Sequence, residues 1–332
     1  MDLEQRVDLM SRMGEYMLSA DMNWKAAKEK AFYENGWFTP SFIELAVWNI
    51  ANHFLKKEQL QQWSAAYGIP KLNAKPKTTG IVMAGNVPLV GFHDFLCAFI
   101  SGHPQQIKLS SKDAVLLDHL VNRLYEWEPQ TKKLISFNNM LKGCDAYIAT
   151  GSNNSARYFE YYFSRYPHII RRNRTSVAVL RGNESAQDLS LLADDVYQYF
   201  GLGCRNVTKL YVPEQYDFIP LLDAFRKYDQ LADHHKYKNN YDYQLAILLV
   251  NKHYYMTNGS IILVEDQQVF SPISRLNYEF YKDSNAVSTA LENNHDIQAV
   301  VGKDFVPFGK AQQPALSEFA DGVDTLAFFL KL

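Results

Sequence analysis

The sequence has few cysteines and no cysteine pair at the short spacing of a metal-binding motif. Cys97, Cys144 and Cys204 are the three cysteines among 332 residues, and they lie far apart in the chain. An odd number of isolated cysteines is typical of a reducing compartment rather than of a disulfide-bonded secreted protein. We therefore expect three free thiols, no metal site and a cytoplasmic protein.

An excess of basic charge and a long apolar run are also missing. The 34 Lys and Arg residues nearly balance the 36 Asp and Glu residues, so no basic surface favours nucleic acid as a partner. The longest apolar stretches, such as LAILLV at 245–250, are far shorter than the roughly 20 residues of a membrane helix. The N-terminus lacks the order of a secretory signal. We expect no nucleic-acid partner, no integral membrane segment and no export.

Three common motifs do not occur in the chain: GxGxxG, GxxxxGK[ST] and HExxH. Their absence removes the main support for a standard dinucleotide fingerprint, a P-loop or a zinc protease. The adjacent histidines in HHKYKNNYDY at 234–243 have no partner at metal-ligand spacing, so this run is predicted to be a polar loop. The chemistry has to be sought elsewhere.

Two kinds of pattern follow one another along the chain. Residues 1–70 carry apolar positions at helical spacing, which predicts an all-helical opening. From residue 80 onward, short apolar strands such as GIVMAG at 80–85 and QQIKLS at 105–110 alternate with amphipathic helices. This alternation predicts an α/β fold with mostly parallel sheets.

The same patterns predict three parts of the chain. Residues 1–174 combine the helical opening with a first α/β unit, and residues 175–323 form a second α/β unit. Residues 324–332, DTLAFFLKL, form an apolar tail of strand character. Such a tail is expected to pair with a sheet edge in this subunit or in a neighbour, which is compatible with a homo-oligomer.

Cys204 is the best candidate for a reactive thiol. In YFGLGCRNVTKLYVP two glycines place it in a turn between a predicted helix and a predicted strand. A thiol in such a turn can be approached closely by a ligand, although a small buried turn residue fits the pattern as well. Cys97 and Cys144 lie in or beside apolar segments and fit the buried role better.

Two further turns carry candidate binding groups. TGS at 150–152 ends a strand and opens a helix, where free N–H groups favour a phosphate, but Ser152 fits an ordinary N-cap equally well. Asn86 in GNVPLVG at 85–91 has an amide donor for an oxyanion, and it is also a common type of turn residue. Each signal by itself leaves both alternatives open.

Taken in chain order, several segments resemble motifs of the aldehyde dehydrogenase superfamily. The family motifs are PWNFPL, VKPSE, FTGS, GQxC, EIFGP and PFGG. They resemble GNVPLVG at 85–91, IKLSSKD at 107–113, YIATGS at 147–152, GLGC at 201–204, VFSP at 269–272 and VPFGK at 306–310. The resemblance implies a Rossmann-like cofactor domain joined to an α/β catalytic domain, and it covers roughly residues 80–310.

The resemblance also implies roles for individual residues. Cys204 corresponds to the nucleophile that carries the acyl group, and Asn86 to the amide that helps form the oxyanion hole. The positions that correspond to cofactor contacts are Lys108, Gly151, Ser152 and Gln268. In VKPSE a glutamate follows the lysine by three positions and repels a 2′-phosphate, whereas here Ser111 and Lys112 follow Lys108. We therefore expect NADPH as the cofactor, with NADH as the alternative.

One departure from the family pattern indicates the reaction. The ELGGK loop, whose glutamate activates hydrolytic water, aligns with RRNRT at 171–175. Without that base a thioacyl-enzyme is less readily lost to water and can be exchanged with a thiol carrier. The chain is also shorter than typical aldehyde dehydrogenases, and its stretches GLGCRNVTKLYVP at 201–213 and ADGVDTLAFFL at 320–330 most resemble the LuxC-type acyl-CoA reductases. Arg171, Arg172 and Arg174 have two open interpretations, a solvated turn and a role near a phosphorylated carrier.

The expected function is therefore the NAD(P)H-dependent reduction of an acyl thioester such as acyl-CoA to an aldehyde. Two alternatives remain open. The first is aldehyde oxidation: the CoA-acylating form is the reverse of the same reaction, and the hydrolytic form needs another carboxylate in place of the missing base. The second is a pseudoenzyme that binds nucleotide or partners on the same scaffold.

Overall fold

The computed structural model of the chain describes residues 1–292 and 294–332. These residues form two compact units. The first unit comprises Met1–Asn173 together with Pro314–Leu332, and the second unit comprises Arg174–Gln313.

The first unit opens with helices, as the apolar spacing predicts. Capping side chains set the starts of the first two helices: Asp2 accepts the N–H of Gln5 at 2.9 Å, and Asp21 accepts that of Trp24 at 3.0 Å. Their apolar faces form one core with the sheet that follows. The four helices are α1 Leu3–Met17, α2 Met22–Glu34, α3 Pro40–His53 and α4 Lys57–Ala66.

A parallel five-stranded sheet forms the rest of this core. Its strands are β1 Thr79–Val82, β2 Gln105–Lys108, β3 Ile135–Phe137, β4 Ala146–Thr150 and β5 His168–Arg171, in the order β3-β2-β1-β4-β5. The helices α5 Phe92–Ser101, α6 Val115–Trp127 and α7 Asn153–Phe163 connect its strands. The chain adds β2 and β3 on one side of β1 and then returns to place β4 and β5 on the other. Strand order therefore reverses between β1 and β4.

The second unit contains a six-stranded sheet that is parallel except for one edge. Its strands are β6 Thr175–Val179, β7 Val207–Pro213, β8 Met256–Thr257, β9 Ile262–Glu265, β10 Arg275–Tyr281 and β11 Ile297–Gly302, in the order β11-β6-β7-β10-β9-β8. Only β8 and β9 pair antiparallel in the described sheet. Its α-helices are α8 Ala186–Tyr197, α9 Ile219–Phe225, α10 His235–Val250 and α11 Ser284–Glu292. The predicted α/β fold with mostly parallel sheets is confirmed.

The polar run at 234–243 is helical, so the loop predicted there is wrong. His234 caps α10 by accepting the N–H of Tyr237, and Tyr237, Gln244 and Leu248 form a narrow buried stripe. This stripe is too thin and too polar to stand out in the sequence. The helix is stabilised by tertiary packing of its buried side chains, because the local sequence has no clear amphipathic pattern.

The C-terminal tail is also a helix and not the predicted strand. Asp324 caps α12, Thr325–Leu330, by accepting the N–H of Ala327 at 2.8 Å. Leu326 and Phe329, spaced by one helical turn, are fully buried in the core of the first unit. Residues 314–323, which the sequence placed with the second unit, belong to the first unit as well. The apolar side chains of the tail are therefore buried in the core of their own chain and not at a sheet edge.

Candidate active site

The first unit gathers most of the predicted cofactor residues at one sheet edge. Loops follow the carboxyl ends of β1, β2 and β4, and these three strands are neighbours with β1 in the middle. The residues in these loops are Asn86 after β1, Ser111 and Lys112 after β2, and Gly151 and Ser152 after β4. In open parallel sheets, ligands bind outside the carboxyl ends of the strands where strand order reverses. The reversal between β1 and β4 marks that position here.

In the loop after β1 the Asn86 residue is exposed, while the loop backbone is held by a buried side chain. Leu89 has a left-handed φ of 57°, which is unusual for a residue with a side chain. Its N–H donates to the buried Asp113 carboxylate at 2.7 Å. Burial raises the pKa of Asp113 to about 7, against the opposing effect of that hydrogen bond. Asp113, which the sequence analysis missed, therefore supports the Asn86 loop.

The turn after β2 has a fixed backbone and exposed side chains. Lys108 ends the strand, and Ser111 and Lys112 are exposed in the turn. The Lys112 N–H donates to the Ser110 hydroxyl at 3.2 Å, and the Lys112 carbonyl accepts the Asn35 side-chain amide at 3.0 Å. Asn35, at the C-terminal end of α2, thus holds the turn that carries the predicted 2′-phosphate contacts.

Gly151 and Ser152 lie between β4 and α7. The Ser152 hydroxyl accepts the N–H of Ser155 at 3.3 Å, so Ser152 is the N-cap of this 11-residue helix. A Cβ on Gly151 would lie 2.9 Å from the ring of Phe159 and equally close to Ser155. The glycine is required because helix and strand approach closely at this turn. Ser152 satisfies one N–H at this helix N-terminus; the helix dipole and the remaining N–H groups, at the sheet's carboxyl edge, favour an anion.

Arg171, which the sequence resemblance puts near the position of the catalytic glutamate in aldehyde dehydrogenases, is a buried ion-pair residue. It ends β5 and is 4% exposed. Its guanidinium pairs with Asp94 and donates to the Thr325 hydroxyl at 2.7 Å. Arg172, in contrast, is exposed and pairs with Glu160. The solvated-turn interpretation is therefore wrong for Arg171, because its charge lies in the core of the first unit.

In the second unit, Cys204 lies in a turn that the buried side chains of Asn206 and Ser176 hold. The Asn206 carbonyl oxygen accepts the Gly203 N–H at 2.8 Å, and its amide donates to three backbone carbonyls at the end of α8. The Cys204 carbonyl accepts the Ser176 hydroxyl at 3.1 Å. Asn206 is fully buried, so the turn is tied rigidly to the helix before it.

The exposure of the three thiols separates them as the sequence predicted. Cys204 is partly exposed, whereas Cys97 and Cys144 are buried. Burial, reinforced by the Asp94 carboxylate, raises the pKa of Cys97 well above its ordinary value, and burial also raises the pKa of Cys144. A buried thiol with a raised pKa forms little thiolate. Cys204 is the accessible candidate among them.

The chain approaches Cys204 through a strained segment. Tyr199 and Phe200 have left-handed φ values of 54° and 58°, and Gly201 continues the run at 74°. Two consecutive non-glycine residues in this region are held by packing: both are buried, and the Phe200 ring lies 4.5 Å from that of His234. Strain of this kind persists where surrounding contacts over-determine the backbone.

Gln268, the predicted ribose contact, lies exposed on the loop between β9 and β10 of the second unit. The VPFGK segment is held in the same unit by Asp195, whose carboxylate accepts the Gly309 and Ala311 N–H groups.

Among the described residues no group of three His, Cys, Asp or Glu side chains is placed to hold a metal ion. No helix within that part of the chain is long and apolar enough to cross a membrane.

Sequence reasoning missed the buried polar residues that hold these loops. They are Asp113, Asp195, Asn206, Lys209 and Asn277. Their only local signal was a polar residue inside or beside a predicted helix or strand, and that signal does not distinguish a buried group from a solvated one.

The fold is that of the aldehyde dehydrogenases. Aldehyde dehydrogenase 21 from Physcomitrella patens, in complex with its product succinate, is 12% identical; the match covers 92% of this chain and 74% of that chain with a TM-score of 0.70. A Mycobacterium tuberculosis aldehyde dehydrogenase complexed with NAD⁺ is 12% identical, covering 91% and 73% with a TM-score of 0.66. A mutant of aldehyde dehydrogenase C from Pseudomonas syringae, complexed with NAD⁺ and octanal, is 10% identical, covering 92% and 73% with a TM-score of 0.66.

Sequence comparison adds no closer relationship. No family model matches the chain, and no curated protein matches it at a significant level. The structural similarity at this level of identity shows the fold.

Proposed function

We propose that this chain is an NAD(P)H-dependent reductase of acyl thioesters, with Cys204 carrying the acyl group. The observation that carries the proposal is Cys204 itself: a partly exposed cysteine in a glycine-flanked turn that the buried Asn206 fixes. The other two thiols are buried. Fixed geometry around an accessible thiol is what nucleophilic catalysis requires.

The first unit is the proposed dinucleotide-binding unit, and its residues fit that ligand. Lys108, Ser111 and Lys112 are exposed after β2, and the helix N-terminus at Ser152 faces the same sheet edge. The lysines supply positive charge, and the serine hydroxyls and backbone N–H groups supply hydrogen-bond donors. These are the groups that bind a pyrophosphate and a ribose. A serine and a lysine in place of an acidic residue favour NADPH over NADH. When bound, the dinucleotide supplies the hydride.

The second unit is the proposed acyl-transfer unit. The Cys204 thiolate attacks the thioester carbonyl carbon, the bond between that carbon and the carrier sulfur breaks, and the carrier leaves as a thiolate. The acyl group stays on Cys204. The Asn86 amide is the proposed donor to the oxyanion of the tetrahedral intermediate. After reduction, the thiohemiacetal on Cys204 collapses to the aldehyde and regenerates the thiol.

The state of Arg171 supports reduction over hydrolytic oxidation. A guanidinium paired with Asp94 cannot accept a proton from water, so the position offers no general base. Aldehyde oxidation remains the second candidate, because the Pseudomonas syringae neighbour is a dehydrogenase complexed with NAD⁺ and octanal. CoA-acylating oxidation uses the same residues in the reverse direction.

The test is an assay of NADPH and NADH oxidation across a series of acyl-CoA chain lengths, with aldehyde trapped and identified. We expect acyl-CoA-dependent NADPH oxidation with one aldehyde formed per NADPH consumed. The reverse assay with aldehyde and NAD(P)⁺ is run with and without CoA. Oxidation of aldehyde to free acid without CoA, with no acyl-CoA reduction, contradicts the proposal.

A further inference from the structure

A buried polar network holds the segment Gln267–Phe270, which links β9 to β10 in the second unit. Every backbone carbonyl of this segment accepts a hydrogen bond from a side chain of β7 or β10. Lys209 donates to Gln267 O at 2.7 Å, Asn277 to Gln268 O at 2.9 Å and Phe270 O at 3.2 Å, and Thr208 to Val269 O at 2.6 Å. The carbonyls of a surface loop can hydrogen-bond to water, so four consecutive carbonyls that accept from side chains indicate a backbone held in place.

Two of the three donor side chains are deeply buried. Lys209 is 0% exposed and Asn277 is 1% exposed. The Lys209 ammonium pairs with Glu279 and lies 4.7 Å from the centre of the Tyr211 ring. Burying an ammonium is costly, and an apolar side chain would fill the same strand position without that cost. What the lysine adds is its bond to the segment.

The orientation of the Asn277 amide is determined by a second set of contacts. Its carbonyl oxygen accepts the Arg275 Nε at 2.9 Å, which turns the NH₂ group toward Gln268 and Phe270. Arg275 also pairs with Asp266, and Asp266 accepts the Gln268 N–H at 2.9 Å. Both backbone groups of Gln268 are therefore held, while its side chain is exposed.

We propose that Lys209 and Asn277 are positioning residues that fix Gln268 for contact with the nicotinamide-side ribose of the cofactor. This inference rests on the proposed function and extends it to residues outside the aligned motifs. A network that immobilises the backbone on both sides of one exposed amide lowers the entropy lost when that amide binds a ligand. The two residues act through Gln268 and touch no substrate.

The first test separates the loop contact from the buried charge. Lys209→Met/Glu279→Gln removes the donor to Gln267 without leaving an unpaired charge, so its thermal stability should stay near that of the wild type. Hydrogen exchange of the amides in residues 266–271 should accelerate by roughly tenfold or more. Turnover should fall by about 10-fold to 100-fold, with a smaller change in KM for NADPH. Lys282→Met, at an exposed lysine, is the matched control and should change neither.

The second test asks whether the effect passes through Gln268. Gln268→Ala should reproduce the loss of turnover while leaving the segment's exchange unchanged. Adding Lys209→Met/Glu279→Gln to Gln268→Ala should then cost little more, because the positioned group is already gone. Asn277→Leu should behave as the Lys209 variants do. Additive losses, or faster exchange with unchanged turnover, overturn the inference.

Failure of the proposed function is recognised separately. If the wild type reduces no acyl thioester and oxidises no aldehyde, the proposed function falls, and NADPH binding is followed by hydrogen exchange instead. NADPH should then protect residues 266–271 in the wild type and not in Gln268→Ala or Lys209→Met/Glu279→Gln. Absence of protection in the wild type, or equal protection in all three proteins, overturns the inference.

Discussion

The carboxylate of Asp195 accepts the backbone N–H of Gly309 at 2.7 Å across 114 positions of the chain, and that of Ala311 at 2.9 Å. One acidic side chain on α8 thus holds the VPFGK segment, while the same helix end receives the Asn206 amide of the Cys204 turn. Two segments that resemble family motifs are tied to one helix by buried polar groups.

Stability should depend on pH through Asp195. Burial raises its pKa to about 7, against the opposing effect of the two N–H donors, so the folded state holds this proton more tightly than the unfolded state. This contribution is full below pH 4 and is lost as the pH rises through 7, by up to about 1.4 kcal/mol per pH unit. Urea unfolding between pH 5 and 8 should show the fall, and Asp195→Asn should reduce its slope. Asp113→Asn, at a carboxyl also raised to about 7, should reduce the slope too. An unchanged slope in both variants contradicts the assignment.

Replacement of Cys204 should abolish turnover. Cys204→Ser should lower acyl-CoA reduction on the order of 1,000-fold or more, because a serine hydroxyl is a much weaker nucleophile than a thiolate. Cys97→Ser and Cys144→Ser, at buried thiols, are the controls and should retain most of the activity per folded molecule. Radiolabelled acyl-CoA should acylate the wild type and both controls. Equal labelling of the Cys204 variant removes the central claim.

Asn86→Ala tests the oxyanion donor. Loss of one such donor should lower turnover on the order of 100-fold, with little change in cofactor affinity. Because the Asp113 bond to Leu89 holds the loop backbone, the variant should keep the loop fold. Steady-state kinetics and a cofactor titration measure the two effects. Unchanged turnover would make Asn86 a turn residue only.

Cofactor choice should depend on Ser111. The wild type should bind NADPH more tightly than NADH, and Ser111→Glu should weaken NADPH roughly tenfold or more while affecting NADH far less, since 1.4 kcal/mol of repulsion is about a factor of ten. Calorimetric titrations measure both affinities. Gln130→Glu adds the same charge just before β3, away from the carboxyl edge, and should change neither. Tighter binding of NADH by the wild type refutes the assignment.

The role of Arg171 can be separated from binding of a carrier phosphate. Arg171→Leu leaves Asp94 buried and unpaired and should destabilise the protein by about 3–5 kcal/mol. Arg171→Leu/Asp94→Leu should recover most of that loss, with KM for acyl-CoA unchanged. Arg172→Leu, at an exposed ion pair, should cost less than about 1 kcal/mol. A raised KM in the stable double variant would instead place Arg171 at the carrier.

Features with a local signature were predictable from the sequence. The helical opening and the strand–helix alternation follow from apolar spacing, which reports directly which face of each element is buried. The glycines around Cys204 indicate a tight turn because glycine, which has no side chain, adopts backbone conformations that other residues avoid. These two signals led to the α/β fold and to the single cysteine that is partly exposed.

Tertiary structure alone decided which polar residues are buried and what holds each loop. Arg171 meets Asp94 from 77 positions away, and Lys209 meets Gln267 from 58. A charged residue near a strand end has the same local sequence whether it is solvated or paired in the core. The tail at 324–332 became a helix for the same reason: its apolar residues fit either period, and the core against which Leu326 and Phe329 pack selected the helical one.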